Sequence, residues 1–198
     1  MGRTPGYQQA EVIAAARNLF WKKGFDAVSV AEVERATGLS RSSVYHAFGS
    51  MRGLFDAAVQ EYLDTIVRPR LRPLRTHEVA DDALERHVRD LAAWIEHLDD
   101  ATDPTGCLLV GTAATSLGDD AAIREVVAAY HAELSTAVTA GVRARFPDAD
   151  EVAVASRARI VTGSLIAAMT LARVNRTEAL RLLDATAATV GPNAPDLA

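Results

Sequence analysis

GLSRSSVYHAF, residues 38–48, is the stretch of this 198-residue chain that decides its fold. It opens with a glycine, continues with three serines around an arginine, and ends with a tyrosine, a histidine and a phenylalanine. A helix this short is unstable in isolation, so neighbouring elements must hold it through its few apolar residues, Leu39, Val44 and Phe48. The polar side chains between them are then left on the outer face.

The residues before this stretch predict a helix that leads into it. Ser29 is followed three residues later by Glu32, which is the pattern of a capping box at the start of a helix. That helix is expected to stop near Gly38, and Ser40 is expected to cap the next helix, which ends near Phe48. Two short helices joined by a turn with glycine at its centre form a helix-turn-helix.

Helical periodicity extends over the rest of the chain. Apolar residues recur at steps of three and four almost throughout, and the alternation that is typical of strands is scarce. The pattern predicts an all-α protein with about nine helices. We expect a three-helix, helix-turn-helix head over residues 1–50 and a larger helical body over residues 51–198.

Within the body, several boundaries can be predicted. The fourth helix is expected over 50–68, and the proline- and arginine-rich residues 68–78 are expected to form a linker or kink. Residues 107–117, CLLVGTAATSL, are nearly apolar all round and predict a central helix. The last two helices are expected over 151–174 and 177–190.

Composition narrows the class of protein. Hydrophobic residues make up 49% of the chain and charged residues 24%, as in globular proteins. The one cysteine, Cys107, cannot form an intrachain disulfide, and this favours a reducing compartment. The N-terminus shows no apolar run typical of a secretory signal, and the longest weakly polar run, 160–172, is shorter than the ~20 residues that span a bilayer. We expect a soluble cytoplasmic protein with no membrane partner.

Charge is divided unevenly along the chain. Residues 1–55 contain seven Lys or Arg residues against four acidic ones, so this part carries +3, whereas the remainder carries −8. A basic head on an acidic body favours contact between the head and a polyanion. In a DNA major groove, arginine binds guanine through two hydrogen bonds, and tyrosine hydroxyls suit phosphate oxygens. The alternative is an ordinary solvated helix face.

Residues 12–59, VIAAARNLFWKKGFDAVSVAEVERATGLSRSSVYHAFGSMRGLFDAAV, resemble the head of the tetracycline-repressor (TetR) family of bacterial transcription regulators. The matching features occur in the family's order: Leu19–Phe20, Lys23–Gly24–Phe25, Ser29, Gly38–Leu39–Ser40, Tyr45, Phe48, Gly49–Ser50 and Leu54. The resemblance implies a DNA-binding head, a body that binds a small ligand, and a homodimer formed by the last two helices. It also implies that two heads occupy successive major grooves of a palindromic operator until a ligand changes their separation.

The resemblance also assigns residues to the DNA interface. Arg41, Ser42 and Ser43 match positions that read bases, and Tyr45 matches a phosphate contact. The full predicted set is Arg41, Ser42, Ser43, Tyr45, His46, Arg52, Ser29 and Ser40. The sequence departs from the family pattern in three places. Glu34 replaces a small residue and is expected to extend outward and pair with Arg35 or Arg41; Met51 replaces a phosphate-binding lysine, for which Arg52 is expected to substitute; and Ala47 replaces an aromatic residue.

The last two helices carry stripes of mostly small apolar residues that are predicted to pair with a second subunit. This predicted dimer interface comprises Val161, Leu165, Ala168, Ala172, Leu180, Leu183 and Ala187. Ordinary packing within one chain is the alternative explanation of the same stripes.

A ligand pocket is predicted between the helices of the body. Its candidate lining residues are Trp94, His87, Leu91, Thr112, Thr115, Tyr130 and Met169, each of which could instead be core filler or lie on a half-exposed face. The preponderance of Ala, Leu, Val and Thr predicts an apolar or amphipathic effector.

No catalytic, metal or cofactor site is predicted. The five histidines have neither H-x-x-x-H spacing nor paired cysteines, and Gly-rich phosphate loops and G-x-S-x-G elbows are missing from the sequence. The leading hypothesis is a ligand-responsive transcriptional repressor. The alternative is a helical small-molecule-binding protein or enzyme that has lost DNA binding, and it is favoured only by Glu34 and Met51.

Overall fold

The computed structural model describes residues 5–99 and 101–194, and every regular element within them is helical, which confirms the all-α prediction. The α-helices are α1 Pro5–Lys23, α2 Val30–Thr37, α3 Arg41–Phe48, α4 Met51–Tyr62, α5 Arg68–Leu71, α6 Ala83–Glu96, α7 Leu108–Ala113, α8 Ala121–Arg145, α9 Glu151–Leu171 and α10 Arg176–Ala188. Because α4, a π-helical segment Leu63–Val67 and α5 run on without a break, the described chain contains nine helical rods.

The head is a small helical unit built on three phenylalanine rings. Phe20 on α1 and Phe55 on α4 meet edge to face with their centroids 5.3 Å apart, and Phe25 lies 5.0 Å from Phe55. Val33 on α2 and Val44 on α3 are fully buried in the same core. Each short helix therefore contributes at least one buried anchor, and this packing stabilises helices that are too short to form alone.

The predicted helix starts in the head are confirmed. Ser29 forms the complete capping box with Glu32, and Ser40 and Ser50 cap α3 and α4 through their hydroxyls. Gly38 ends α2 in the left-handed conformation, at φ 72° and ψ 4°, which other residues adopt with strain.

The predicted linker over 68–78 is wrong for its first half. The helical rod continues through Leu71, and a 3₁₀ turn, Arg72–Leu74, follows with Leu74 buried. Proline inside a helix lacks an N–H and clashes with the carbonyl four residues before it. The π-helical turn that precedes Pro69 widens the backbone ladder there, and this accommodates the ring without ending the rod.

Helix α7 is central, as its apolar sequence predicts, since it contacts α1, α4, α8 and α9. It is shorter than predicted, because it ends at Ala113 and is followed by a 3₁₀ turn, Ser116–Asp119. Thr115 explains the break: its hydroxyl donates to the Thr112 carbonyl at 2.8 Å and accepts from the Leu117 N–H at 3.3 Å, in place of helical backbone bonds.

The prediction of the dimer interface is wrong, because its residues do not lie on the surface of the protomer. Leu180 is half-buried against the core. The other six side chains are at most 6% exposed: Val161, Leu165, Ala168, Ala172, Leu183 and Ala187. Helix α9 packs on α8 and α10, and α10 also packs on α6. These stripes therefore hold the body of one protomer together, which is the alternative considered above.

The opposite side of α9 is exposed and carries mostly small or apolar side chains, with the charged Arg159 among them. Its outward residues recur at helical spacing and continue just past the helix: Val152, Ser156, Ile160, Gly163, Ala167, Thr170 and Val174. Val152 is 79% exposed, Ile160 56% and Val174 80%. By length and composition alone, α9 could also span a membrane, with a mean hydropathy of 1.4 and 39% of that window buried. A core helix of a helical bundle meets the same criterion.

Candidate DNA-binding site

Helix α3 presents its polar side outward. Val44 faces the head core and is fully buried, whereas Arg41, Ser42, Ser43 and His46 are exposed. Tyr45 is 39% exposed, which is unusual for an aromatic residue of a small core. The arrangement matches the sequence prediction for all five polar residues of this face.

The first turn of α3 carries a cluster of three hydroxyls. Ser40 Oγ lies 2.9 Å from both Ser42 Oγ and Ser43 Oγ, and it also accepts the Ser43 backbone N–H at 3.3 Å. Each hydroxyl has one donor and two acceptor positions, so the cluster retains free hydrogen-bonding capacity toward solvent. These short side chains also leave the helix start open to close approach by another molecule.

Arg41 is held by its backbone while its guanidinium stays available. Its N–H donates to Glu34 Oε1 at 2.6 Å, and its guanidinium lies over the Tyr45 ring, 5.4 Å from the centroid. Glu34 therefore does reach Arg41, but it pairs with the backbone at the helix start, where a carboxylate complements the helix dipole. In the described part of the chain, no carboxylate lies within 4 Å of the Arg41 guanidinium.

Two other cations of the head are already paired with acids. Arg17 binds Glu61 at 2.7 Å, and Lys23 binds Glu32. The pKa of Glu32 falls to about 2, chiefly because Lys23 and then Ser29 donate hydrogen bonds to its carboxylate. Arg35 and Arg41 are thus the cations on α2 and α3, and neither has an ion-pair partner among the described residues.

Two residues predicted to contact DNA are engaged elsewhere. The Ser29 hydroxyl donates to Glu32 Oε2 at 2.7 Å as part of the cap. Arg52 donates from Nη1 and Nη2 to the two carboxylate oxygens of Asp120, both at 3.1 Å, and from Nε to Asp56 at 2.8 Å. Since Asp120 caps α8, Arg52 connects α4 to α8, and the prediction that it binds phosphate is not supported by this geometry.

The comparisons with known proteins identify this head. Residues 12–58 match the family of bacterial regulatory proteins known as the tetR family. A cysteine mutant of the TetR family transcriptional regulator CifR, complexed with 26-base-pair operator DNA, has the same fold with a TM-score of 0.77 and 25% identity, covering 94% of this chain and 98% of CifR. The head of this chain is thus similar to that of TetR family regulators.

Two curated TetR-type relatives come from Escherichia coli. The transcriptional repressor BdcR is 40% identical over 91 residues, 46% of each protein. The transcriptional repressor ComR is 27% identical over 132 residues, 66% of this chain and 61% of ComR. The match thus spans about half the length of BdcR and three fifths of ComR.

The chain also contains a cavity of about 60 Å³ between its helices. Five of the seven predicted pocket residues line it: Trp94, His87, Leu91, Tyr130 and Met169. Thr112 and Thr115 do not, because their hydroxyls donate to the Leu108 and Thr112 carbonyls of their own helical turn. Whether the cavity binds an effector stays a prediction.

Sequence reasoning missed eight residues that line this cavity, and Trp21, Tyr62 and Arg70 are the polar or aromatic ones among them. Trp21 belongs to the head motif and Arg70 to the predicted linker, and neither position predicts a residue that lines a pocket. The signal that could have found Arg70 is its position four residues after Ile66 on an otherwise apolar side of the rod.

Cys107 lies beside the cavity, buried, with its Sγ 3.6 Å from Tyr62 Oη and 3.9 Å from Tyr130 Oη. Burial raises the pKa of both tyrosines, so both hydroxyls stay neutral.

Proposed function

We propose that this protein is a ligand-responsive transcriptional repressor that binds a palindromic operator as a homodimer. The observation that carries the proposal is the exposed polar side of α3, with an unpaired Arg41 guanidinium oriented on Tyr45. BdcR and ComR are named as transcriptional repressors, and CifR was solved on operator DNA, which supports the same role for this chain.

In the proposed complex, the N-terminal turn of α3 enters the major groove. Arg41 reads a guanine through two hydrogen bonds, and the hydroxyls of Ser42 and Ser43 contact neighbouring base edges. The Tyr45 hydroxyl contacts phosphate and fixes the register of the helix on the duplex. Residues 1–50 act as the DNA-binding unit and residues 51–198 as the effector-binding and dimerisation unit.

We place the dimer interface on the exposed side of α9 instead of the buried stripes. Large apolar side chains are exposed there at Val152, Ile160 and, just past the helix, Val174, and exposed apolar side chains along one side of a helix favour a protein interface. A Cβ added at Gly163 would meet nothing within 4 Å in its own protomer, so the fold of one chain does not require the glycine. A second α9 crossing there at close range would require it.

The proposed effector enters the cavity of the body, and the protein acts in the cytoplasm. The cavity is small beside the roughly 300–1,000 Å³ typical of ligand pockets, so a ligand has to displace lining side chains. Trp21 belongs to α1 of the head and Tyr62 to α4, so such a displacement is transmitted to the DNA-binding unit. Release from the operator follows when the spacing of the two α3 helices no longer matches successive grooves.

The alternative of a protein that has lost DNA binding gains no support from its two motivating residues. Glu34 stabilises the start of α3, and Met51 is half-buried against the head core. The proposal is tested by electrophoretic mobility of the DNA upstream of the protein's own gene, with an unrelated fragment of equal length as control. Retardation of the upstream fragment at lower protein concentration supports it, and equal behaviour of the two fragments contradicts it.

A further inference from the structure

The cavity of the body contains a cation that has no acidic partner. Arg70 is half-buried, and of its five N–H groups one donates to a protein acceptor, the Ile66 carbonyl at 2.9 Å. Its guanidinium lies over the Trp94 ring, 4.7 Å from the centroid. Within residues 5–99 and 101–194, no carboxylate comes within 4 Å of it, although arginines elsewhere in the body, such as Arg52, Arg68 and Arg89, are paired with acids.

The surroundings of Arg70 are aromatic and apolar. Trp21 and Trp94, the two tryptophans of the chain, stack with centroids 6.1 Å apart at the wall of the cavity. Tyr62, Leu165 and Met169 line it further in. Burial lowers the pKa of His87, so this second titratable group of the wall is neutral at physiological pH. Arg70 is therefore the one formal charge among the cavity-lining residues.

Arg70 also lies at the opening of the cavity. A separate recess of about 130 Å³ is lined by Arg70 and His87 together with Arg86 and Asp90. Arg86 is already paired with Asp82 at 2.8 Å. The two spaces share Arg70 and His87, so a molecule that extends from the recess into the cavity passes both side chains.

We propose that the effector is a small monoanionic acid, with its carboxylate on Arg70 and its apolar part beside Trp21 and Trp94. The inference rests on the proposed function, since it names the chemical class of that effector. Arginine binds carboxylate oxygens through two parallel N–H donors, and Arg70 has at least that many unpaired.

Other ligand classes fit this site less well. Aromatic walls often hold a cationic ligand, but the Arg70 guanidinium already covers the Trp94 ring and repels a second cation. A dianionic phosphate ester carries two negative charges, and Arg70 can neutralise only one of them. The second charge would be buried at a large desolvation cost. A neutral apolar molecule would offer no acceptor to the donors of Arg70 and would displace the solvent from them.

The test uses tryptophan fluorescence of the wild-type dimer, because both tryptophans line the cavity. The probes are matched sets at pH about 7.5, where the acids are ionised: phenylacetate, phenylacetamide and phenethylammonium, and hexanoate with hexanamide. We expect each acid to bind about tenfold or more tightly than its amide, the factor that one charge-assisted hydrogen bond supplies. Equal affinity, a preference for amide or amine, or no response to either acid up to about 10 mM overturns the proposal.

Three variants assign the preference to the residue. Arg70→Met is expected to bind acid and amide alike, Arg70→Lys to keep part of the preference, and Arg86→Met, a control on the same recess, to keep all of it. Loss of the preference in Arg86→Met but not in Arg70→Met contradicts the assignment. Operator binding is measured separately without any probe: its failure contradicts the proposed function, whereas intact operator binding without acid preference contradicts the ligand class alone.

Discussion

Arg52 on α4 and Asp120 at the start of α8 form a two-point ion pair, with both N–H···O distances at 3.1 Å. Asp120 also accepts the Ile123 N–H at 3.0 Å and so caps the longest helix of the body. The pair joins α4, which contacts α1 and α3 of the head, to α8 through side chains that are 30% and 39% exposed. In the proposed function, this pair transmits a ligand-induced shift of α8 to α4.

The ion pair makes Arg52→Gln a test of where this arginine acts. If it contacts the body and not DNA, the slope of log affinity for the operator against log salt concentration stays unchanged. If it contacts phosphate, the slope becomes shallower by about 1.8 for the two sites of a dimer. The measurement is fluorescence anisotropy of labelled operator over a range of salt concentrations.

Arg35→Gln provides the matched control, because Arg35 is exposed on α2 and has no ion-pair partner among the described residues. This variant is expected to reduce the slope, and Asp120→Asn is expected to behave like Arg52→Gln. A reduced slope in Arg52→Gln but not in Asp120→Asn would restore the phosphate contact expected from the sequence.

The ion pair between Arg52 and Asp120 is predicted to be insensitive to pH across the physiological range. Arg52 and then the Ile123 N–H lower the pKa of Asp120 from 3.8 to about 2. A carboxyl whose folded-state pKa is depressed stabilises the fold fully above its unfolded pKa and loses that contribution as the pH falls toward the folded value. The pH window of loss is therefore about 4 to about 2.

Urea unfolding of wild type and Asp120→Asn checks this prediction, since asparagine retains the capping oxygen but not the charge. The difference in urea midpoint should be equal at about pH 5 and about pH 8, and it should shrink below about pH 4. A difference that changes between pH 5 and 8 would show that another titrating group controls the pair.

Local signals were enough to predict the head. Ser29, Ser40 and Ser50 each cap a helix by accepting a hydrogen bond from a backbone N–H three residues later. These helix starts can therefore be predicted from neighbouring residues alone. The body is different because its features are assembled from distant segments. Trp21 and Arg70 line the cavity, although the sequence places Trp21 in the head motif and Arg70 in a predicted linker.

Helix α9 shows a second limit of prediction from periodicity. Helix α9 is apolar on two opposite sides, one containing Val161 and Leu165 and the other Val152 and Ile160. A repeat of three and four residues identifies both sides but does not say which one the same chain covers. That choice is made by α8 and α10, whose packing buries the Val161 side.

Ile160→Glu is predicted to convert the dimer to a monomer without unfolding it. The side chain is 56% exposed in the protomer, so a carboxylate there is solvated in the monomer but buried in the proposed interface. Light scattering reports the mass, and circular dichroism reports the fold. Gly163→Leu is expected to have the same effect, because the open space at its Cβ would be filled by the partner helix.

Leu165→Ala is the contrasting variant on the buried side of α9. It should cost about 2–5 kcal/mol of unfolding free energy and leave the folded protein dimeric. A dimeric Ile160→Glu variant, or a stable but monomeric Leu165→Ala variant, would show that the subunits associate through a different surface.

Tyr45→Phe is predicted to weaken binding to all duplex sequences by a similar factor. The variant removes one hydroxyl and keeps the ring under the Arg41 guanidinium, 5.4 Å from its centroid. A phosphate contact carries no sequence information, so the preferred operator should not change. Competition between specific and random duplexes measures this, and a changed sequence preference would assign Tyr45 to base reading.

Selection from a randomised duplex library, followed by sequencing, tests the central claim that α3 reads DNA. Wild-type protein should enrich a palindrome with two half-sites centred about 10 base pairs apart or a multiple of that spacing. Arg41→Ala should lose preference at one symmetry-related position in each half-site, a change of about 1–3 kcal/mol, while the other positions are retained. No enriched motif with the wild type, or an identical motif with Arg41→Ala, would contradict the account.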